Sequence, residues 1–161
     1  MPVRTHLLVV ANQTVGSPEL LDALVERSSQ GPIHVTLLAP VLWSEREAAR
    51  ERVEESCAAL REFGMEVESV LGDADPIVAV QETWDPGRFD EVLVSTFTTG
   101  SSRWMQVNLP HRIAKLTDCT VRHVESRPAV EPVPSAPPPE PRGLIESAVG
   151  LLRTATRGRT A

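Results

Sequence analysis

The chain has 161 residues, 41% of them hydrophobic and 24% charged, with a net charge of −6, the composition of an ordinary globular protein. No apolar stretch approaches the ~20 residues that cross a bilayer. The apolar run in MPVRTHLLVVANQ is too short for a signal peptide, so a cytoplasmic protein is expected. Seven of the 14 prolines fall between Arg127 and Arg142, so 127–141 reads as an extended linker between a domain, 1–126, and a tail, 142–161. The domain carries 11 Lys+Arg against 19 Asp+Glu, a net −8 that argues against duplex nucleic acid as partner; the tail is +3. Cys57 and Cys119 have neither metal nor redox spacing and read as reduced thiols.

Taken in order, Leu7 to Ala11 form a continuous apolar run, as in a strand covered on both faces. After the turn Asn12–Gly16, Ser17 caps a helix with Pro18 at its first position and Leu20, Leu21, Leu24 and Val25 on one side. Gly31-Pro32 ends it. Ile33, Val35, Leu37 and Leu38 make a second strand closed by Pro40. Ser44-Glu45-Arg46-Glu47 has the spacing of a capping box, and the helix it predicts buries Ala49, Val53, Cys57 and Leu60 before stopping at Gly64. Met65, Val67, Val70 and Leu71 alternate with Glu66 and Glu68, the pattern of an edge strand. Asp75-Pro76 opens a third helix with Ile77, Val80 and Trp84 inward, broken at Asp85-Pro86-Gly87. Val92 to Val94 form a fourth strand, Leu109 to Leu116 a fourth helix, and Thr120 to Val124 a fifth strand. Strictly alternating elements with short connections imply a five-stranded parallel α/β sheet with helices on both faces. In the tail, Leu144, Ile145, Ala148, Val149, Leu152 and Ala155 share one stripe of a short helix, weakened by Gly150 and Gly158. So short a helix needs a surface: its own domain, a protein partner or, through Arg153, Arg157 and Arg159, a membrane surface.

An open parallel sheet places its site outside the carboxyl ends of the strands, where strand order reverses. The loops there are Asn12–Ser17, Ala39–Ser44, Gly72–Asp75 and Ser95–Val107. A phosphoacceptor receiver needs an acidic cluster after the first strand and a lysine after the fifth; Asn12-Gln13 and the fifth strand supply neither. A flavin would find a suitable loop at Asn12–Ser17 and an aromatic wall in Trp43, but few other aromatics. Neither the Rossmann glycine fingerprint nor the Walker A motif occurs, and no nucleophile–histidine–carboxylate order or metal spacing is evident. His6, His34 and His123 lie on strands and read as structural; His111 near the fourth helix has no evident carboxylate partner.

The order of elements, GDADPIVAV leading to FDEVLVS, and the loop–helix–DCTVRHV ending resemble the universal stress protein family over Leu7 to Val124. The resemblance implies a five-stranded α/β fold, dimerisation through the last strand, a non-enzymatic stress-related role and, in one subclass, ATP binding. That subclass carries G-x2-G-x9-G-[ST] after the fourth strand. Here the glycine positions fall on Val94, Phe97 and Val107, and the Ser/Thr position on Asn108; Asn12 stands where such members have an aspartate. Side chains at glycine positions obstruct close approach of phosphate to backbone. Ser101, Ser102, Thr99 and Arg103, around Gly100, are the compensating donors. Two readings therefore stand. One is a binding protein taking ATP, another adenine nucleotide or another anion. Its adenine and ribose would face Asn12 and the Val35–Ala39 strand, and its phosphate Thr99 to Arg103 and Asn108. The other is a nucleotide-free dimeric interaction module that uses the last strand and the tethered helix.

Overall fold

The computed structural model describes residues 3–98 and 103–128. The expectations for the linker, the tail, Thr99, Gly100, Ser101 and Ser102 lie outside the described residues. Nine elements follow the predicted alternation and a short helix, α4, is added before the last of the helices: β1 (Thr5–Val10), α1 (Pro18–Ser29), β2 (Ile33–Pro40), α2 (Arg46–Glu62), β3 (Glu66–Gly72), α3 (Pro76–Thr83), β4 (Glu91–Phe97), α4 (Arg103–Gln106), α5 (Leu109–Thr117) and β5 (Val121–Ser126). The strands form one sheet in the order β3-β2-β1-β4-β5, and every pair is parallel. β3 lies at an edge, as its charged alternation predicts.

Apolar patterning explains the layering. On one face Leu7, Val9, Val35, Leu37 and Leu93 meet Leu20 and Leu24 of α1 and Val53, Cys57 and Leu60 of α2. On the other, Leu8, Val10, Leu38, Val92 and Val94 meet Ala79 and Val80 of α3 and Leu109 and Ile113 of α5. From Leu7 to Val10, β1 is apolar without interruption because it is covered twice: Leu8, Val9 and Val10 are fully buried. Each such side chain contributes about 1.5–3 kcal/mol by leaving water.

Local signals set the helix entries. The Ser17 side chain accepts from the Leu20 amide at 3.2 Å, and Asp75 accepts from Ile77 at 2.8 Å. The capping box expected at Ser44–Glu47 does not form. Trp43–Glu45 is a 3-10 turn, α2 begins at Arg46, and no side chain caps it. Ser44 sits inside that turn, so its hydroxyl is not at the helix boundary where capping requires it. β4 also runs further than Val94: Ser95 and Thr96, expected in a loop, are buried strand residues. The turn Arg103–Gln106 inside the expected loop is a further departure. Among the described residues, no helix is long and apolar enough to cross a membrane.

Candidate functional site

Strand order reverses between β1 and β4: the chain leaves β1 toward β2 on one side and returns to β4 on the other. The carboxyl ends of these two strands diverge there into the turn starting at Asn12 and the segment following Phe97. Asn12 is half-buried, and its Oδ1 accepts from Arg52 Nη2 of α2 at 3.3 Å. An amphipathic helix laid on the sheet has thus brought a cation from its polar side to the head of the crevice. Asn12 follows the carboxyl end of β1 at the strand reversal, with a partner, Arg52, that sequence reasoning missed. Arg52 sits on the charged face of α2, one of several arginines there, and only the tertiary contact distinguishes it.

Val35 is corrected. It is fully buried in the core beneath α1 and α2, in register with Leu7. It offers no surface to a ligand, because a parallel strand covered on both faces presents only its carboxyl end. Asn108 is exposed, in a left-handed conformation (φ 50°) at the junction of α4 and α5, and its side chain does not cap α5. Asparagine tolerates that backbone better than most residues. Arg103 is exposed at the start of α4. Of the three residues at the family's glycine positions, Val94 packs in the core beside α3 and α5 and Val107 is 46% exposed. Phe97, half-buried at the end of β4, is the bulk that remains at the rim.

Beside the crevice lies a buried hydroxyl network that the sequence did not signal. Ser17 Oγ is 2.7 Å from Ser126 Oγ, Ser126 Oγ is 3.3 Å from Ser95 Oγ, and Thr14 Oγ1 donates to the Ser95 carbonyl at 3.2 Å. It pins the turn after β1 and the start of α1 to the carboxyl ends of β4 and β5. Hydroxyls suit this role because each donates once and accepts twice, so a dry cluster satisfies itself.

The remaining polar clusters lie elsewhere. His6 and His34 stack at 5.2 Å between ring centroids. His34 Nδ1 is 3.4 Å from Glu66 and its Nε2 is 3.6 Å from Glu68, which also pairs with Arg88. His123 Nε2 is 2.8 Å from Thr96 Oγ1, and His111 is exposed on α5. Among the described residues no three His, Cys, Asp or Glu side chains group as metal ligands. A shallow depression lined by Arg4, Pro32, Ile33, Phe63, Met65 and Glu66 lies at the amino-terminal end of the sheet. It contains none of the expected site residues, and the switch-point argument places a ligand at the opposite end. Burial pushes the Cys57 thiol above its ordinary range, against the opposing influence of Arg61 and a hydrogen bond with Ser69. That opposes thiolate formation and fits a packed core cysteine.

The described residues therefore form an open, doubly wound α/β domain whose strand order reverses between β1 and β4. A solved universal stress protein from Archaeoglobus fulgidus is similar, with 13% identity, a TM-score of 0.57, and coverage of 75% of this chain and 93% of that one. At this identity the likeness establishes a universal stress protein-like fold. No protein-family model matches the chain, and no curated protein does.

Proposed function

We propose that the chain is a regulatory protein that acts by binding, taking ATP, another adenine nucleotide or another anion at the crevice between β1 and β4. The observation that carries this reading is the contact of Arg52 with Asn12 at the strand reversal. It supports a site with a cation already positioned, where the family's glycine-rich backbone is replaced. Arg52, with Arg103 across the segment after β4, would hold phosphate by charge-assisted hydrogen bonds. Phe97 narrows the space for phosphate against backbone, so side chains rather than amides would do the holding. Calorimetric titration with ATP, ADP and AMP tests the reading. Arg52→Ala and Arg103→Ala are each expected to weaken binding about tenfold, the scale of one charged hydrogen bond. Absence of heat with all three nucleotides removes the reading.

A second reading, a dimer formed through β5, is favoured by how the two sheet edges are finished. On β3 the outward carbonyls of Val67 and Leu71 accept from Arg61 at 2.9 Å and from Arg46 at 3.5 Å. On β5 the carbonyls of Thr120 and Ser126 turn inward to β4, so those of Val121, His123 and Glu125 turn outward. Among the described residues no side-chain donor meets them. Sheet edges left this way invite pairing.

A further inference from the structure

Parallel register sets three polar side chains abreast on β1, β2 and β3: His6 is level with His34, and His34 with Glu66. They share one face of the sheet, where the two imidazoles stack at 5.2 Å between centroids. Two residues further along, Thr36 is level with Glu68, and its hydroxyl donates to Glu68 Oε1 at 2.7 Å. Strand alternation thus presents Glu66 and Glu68 together to the His34 ring. Its Nδ1 is 3.4 Å from Glu66 Oε2 and its Nε2 is 3.6 Å from Glu68 Oε1. The His34 side chain is only 22% exposed, so water does not take the place of these partners.

A neutral imidazole carries one N–H and one lone pair. Both nitrogens of His34 face carboxylate oxygens, so either neutral tautomer sets a lone pair against an anion. The imidazolium turns an N–H toward each. Charge agrees with this count of donors. Arg4 pairs with Glu66, Arg88 pairs with Glu68, and Asp90 accepts from the His6 amide at 2.8 Å. With both imidazoles neutral, these three carboxylates outnumber the two guanidiniums by one, and a single proton balances the set. A second proton, on stacked His6, would lay like charges face to face. His6 Nδ1 is buried and meets no partner among the described residues, whereas His34 meets two, so the proton belongs on His34.

We propose that His34 is a proton-operated tie between β2 and the edge strand β3. With its proton the ring bridges Glu66 and Glu68, and through Glu68 and Arg88 it also holds the connection after α3. Without it a lone pair faces one carboxylate, and this end of the sheet edge loosens. Folding then favours the protonated ring, so the tie is present in acid and is lost as pH rises through the imidazole range. β3 has a strand on one side only, which makes it a natural place for local opening.

Nitrogen NMR of the full chain reads the ring directly. His34 is expected to show both nitrogens as N–H and to keep its proton to higher pH than His111, which is exposed on α5. Amide hydrogen exchange in β3 reads the consequence, at about pH 5.5 and about pH 8, on either side of the imidazole range. The gain in protection on acidification should be about threefold greater in wild type than in His34→Gln, the scale of a partly exposed ion pair. Glu66→Gln alters a side chain that is 56% exposed, so it is expected to keep the wild-type circular dichroism. It should diminish the same gain, which keeps the test open if His34→Gln folds poorly. A His34 ring no more protonated than His111 at any pH overturns the tie. So does β3 protection whose pH dependence is the same in wild type and in the folded variants.

Discussion

Ser17 illustrates how one residue serves two levels of structure. As the cap of α1 its role was legible from Ser-Pro-Glu alone, because capping depends on neighbours three residues away. Its bond to Ser126, 109 residues distant in sequence, was not legible, because nothing local marks it. Ser17→Ala removes both interactions and leaves the Ser126 hydroxyl short of a partner. A loss of about 1–3 kcal/mol is expected in urea denaturation. A loss below about 0.5 kcal/mol would mean that the hydroxyl network is incidental. Cys57 gives a pH prediction of defined sign. Its folded-state thiol is raised by burial, so the neutral form is favoured by folding. That contribution is fully present below the unfolded value of about 8.5 and is lost as pH rises through the folded one. Wild type should therefore lose stability between pH 8 and 10 more steeply than Cys57→Ala, by thermal denaturation at matched ionic strength. The folded protein should also resist alkylation at Cys57, which is 1% exposed, more than at half-buried Cys119.

At the scale of elements, period and punctuation settled most assignments and failed where two local signals compete. The Ser44–Glu47 spacing is a genuine capping pattern, yet the chain leaving β2 makes a 3-10 turn first, with the Glu45 amide donating to the Leu42 carbonyl at 2.9 Å. The apolar signal of β4 stops at Val94 because Ser95 and Thr96 are polar. The strand continues because β5 offers partners as far as Phe97, in register with Ser126. Gly72 shows the reverse case, a residue whose importance appears only in packing. A Cβ there would stand 2.7 Å from the Ala79 Cβ and 2.9 Å from Leu38 Cδ1. α3 can lie this close to the end of β3 only over a bare backbone. Gly72→Ala is therefore expected to cost about 1–3 kcal/mol by overpacking. The double variant Gly72→Ala/Leu38→Ala should not recover it, since the helix contact remains. Recovery would locate the clash at Leu38 alone.

Across the whole molecule the two sheet edges differ, and the dimer reading belongs here. Proline at position 125 removes an amide that faces away from β4, so it blocks pairing by another strand while sparing the intramolecular ladder. Glu125→Pro is expected to convert a wild-type dimer to a monomer in sedimentation velocity, with unchanged far-ultraviolet circular dichroism. A wild type that is monomeric at every concentration, or a variant that stays dimeric, would count against β5 as the interface. At the opposite edge, Arg61 and Arg46 occupy outward carbonyls of β3, an arrangement that discourages open-ended sheet growth.

The alternation of apolar runs and capped amphipathic helices was enough to determine the parallel α/β class and the number of strands in the sheet, and it points to one end of the sheet as the place to test for a site. These follow from periodicity and from the short connections that parallel crossovers impose, both of which are local or nearly so. Only the tertiary structure decided which side chains meet at that end. It withdrew Val35 into the core, raised Arg52 out of a charged helix face to Asn12, and joined Ser17 to Ser126. Contacts between residues far apart in sequence depend on how elements pack, and no local pattern records the partner.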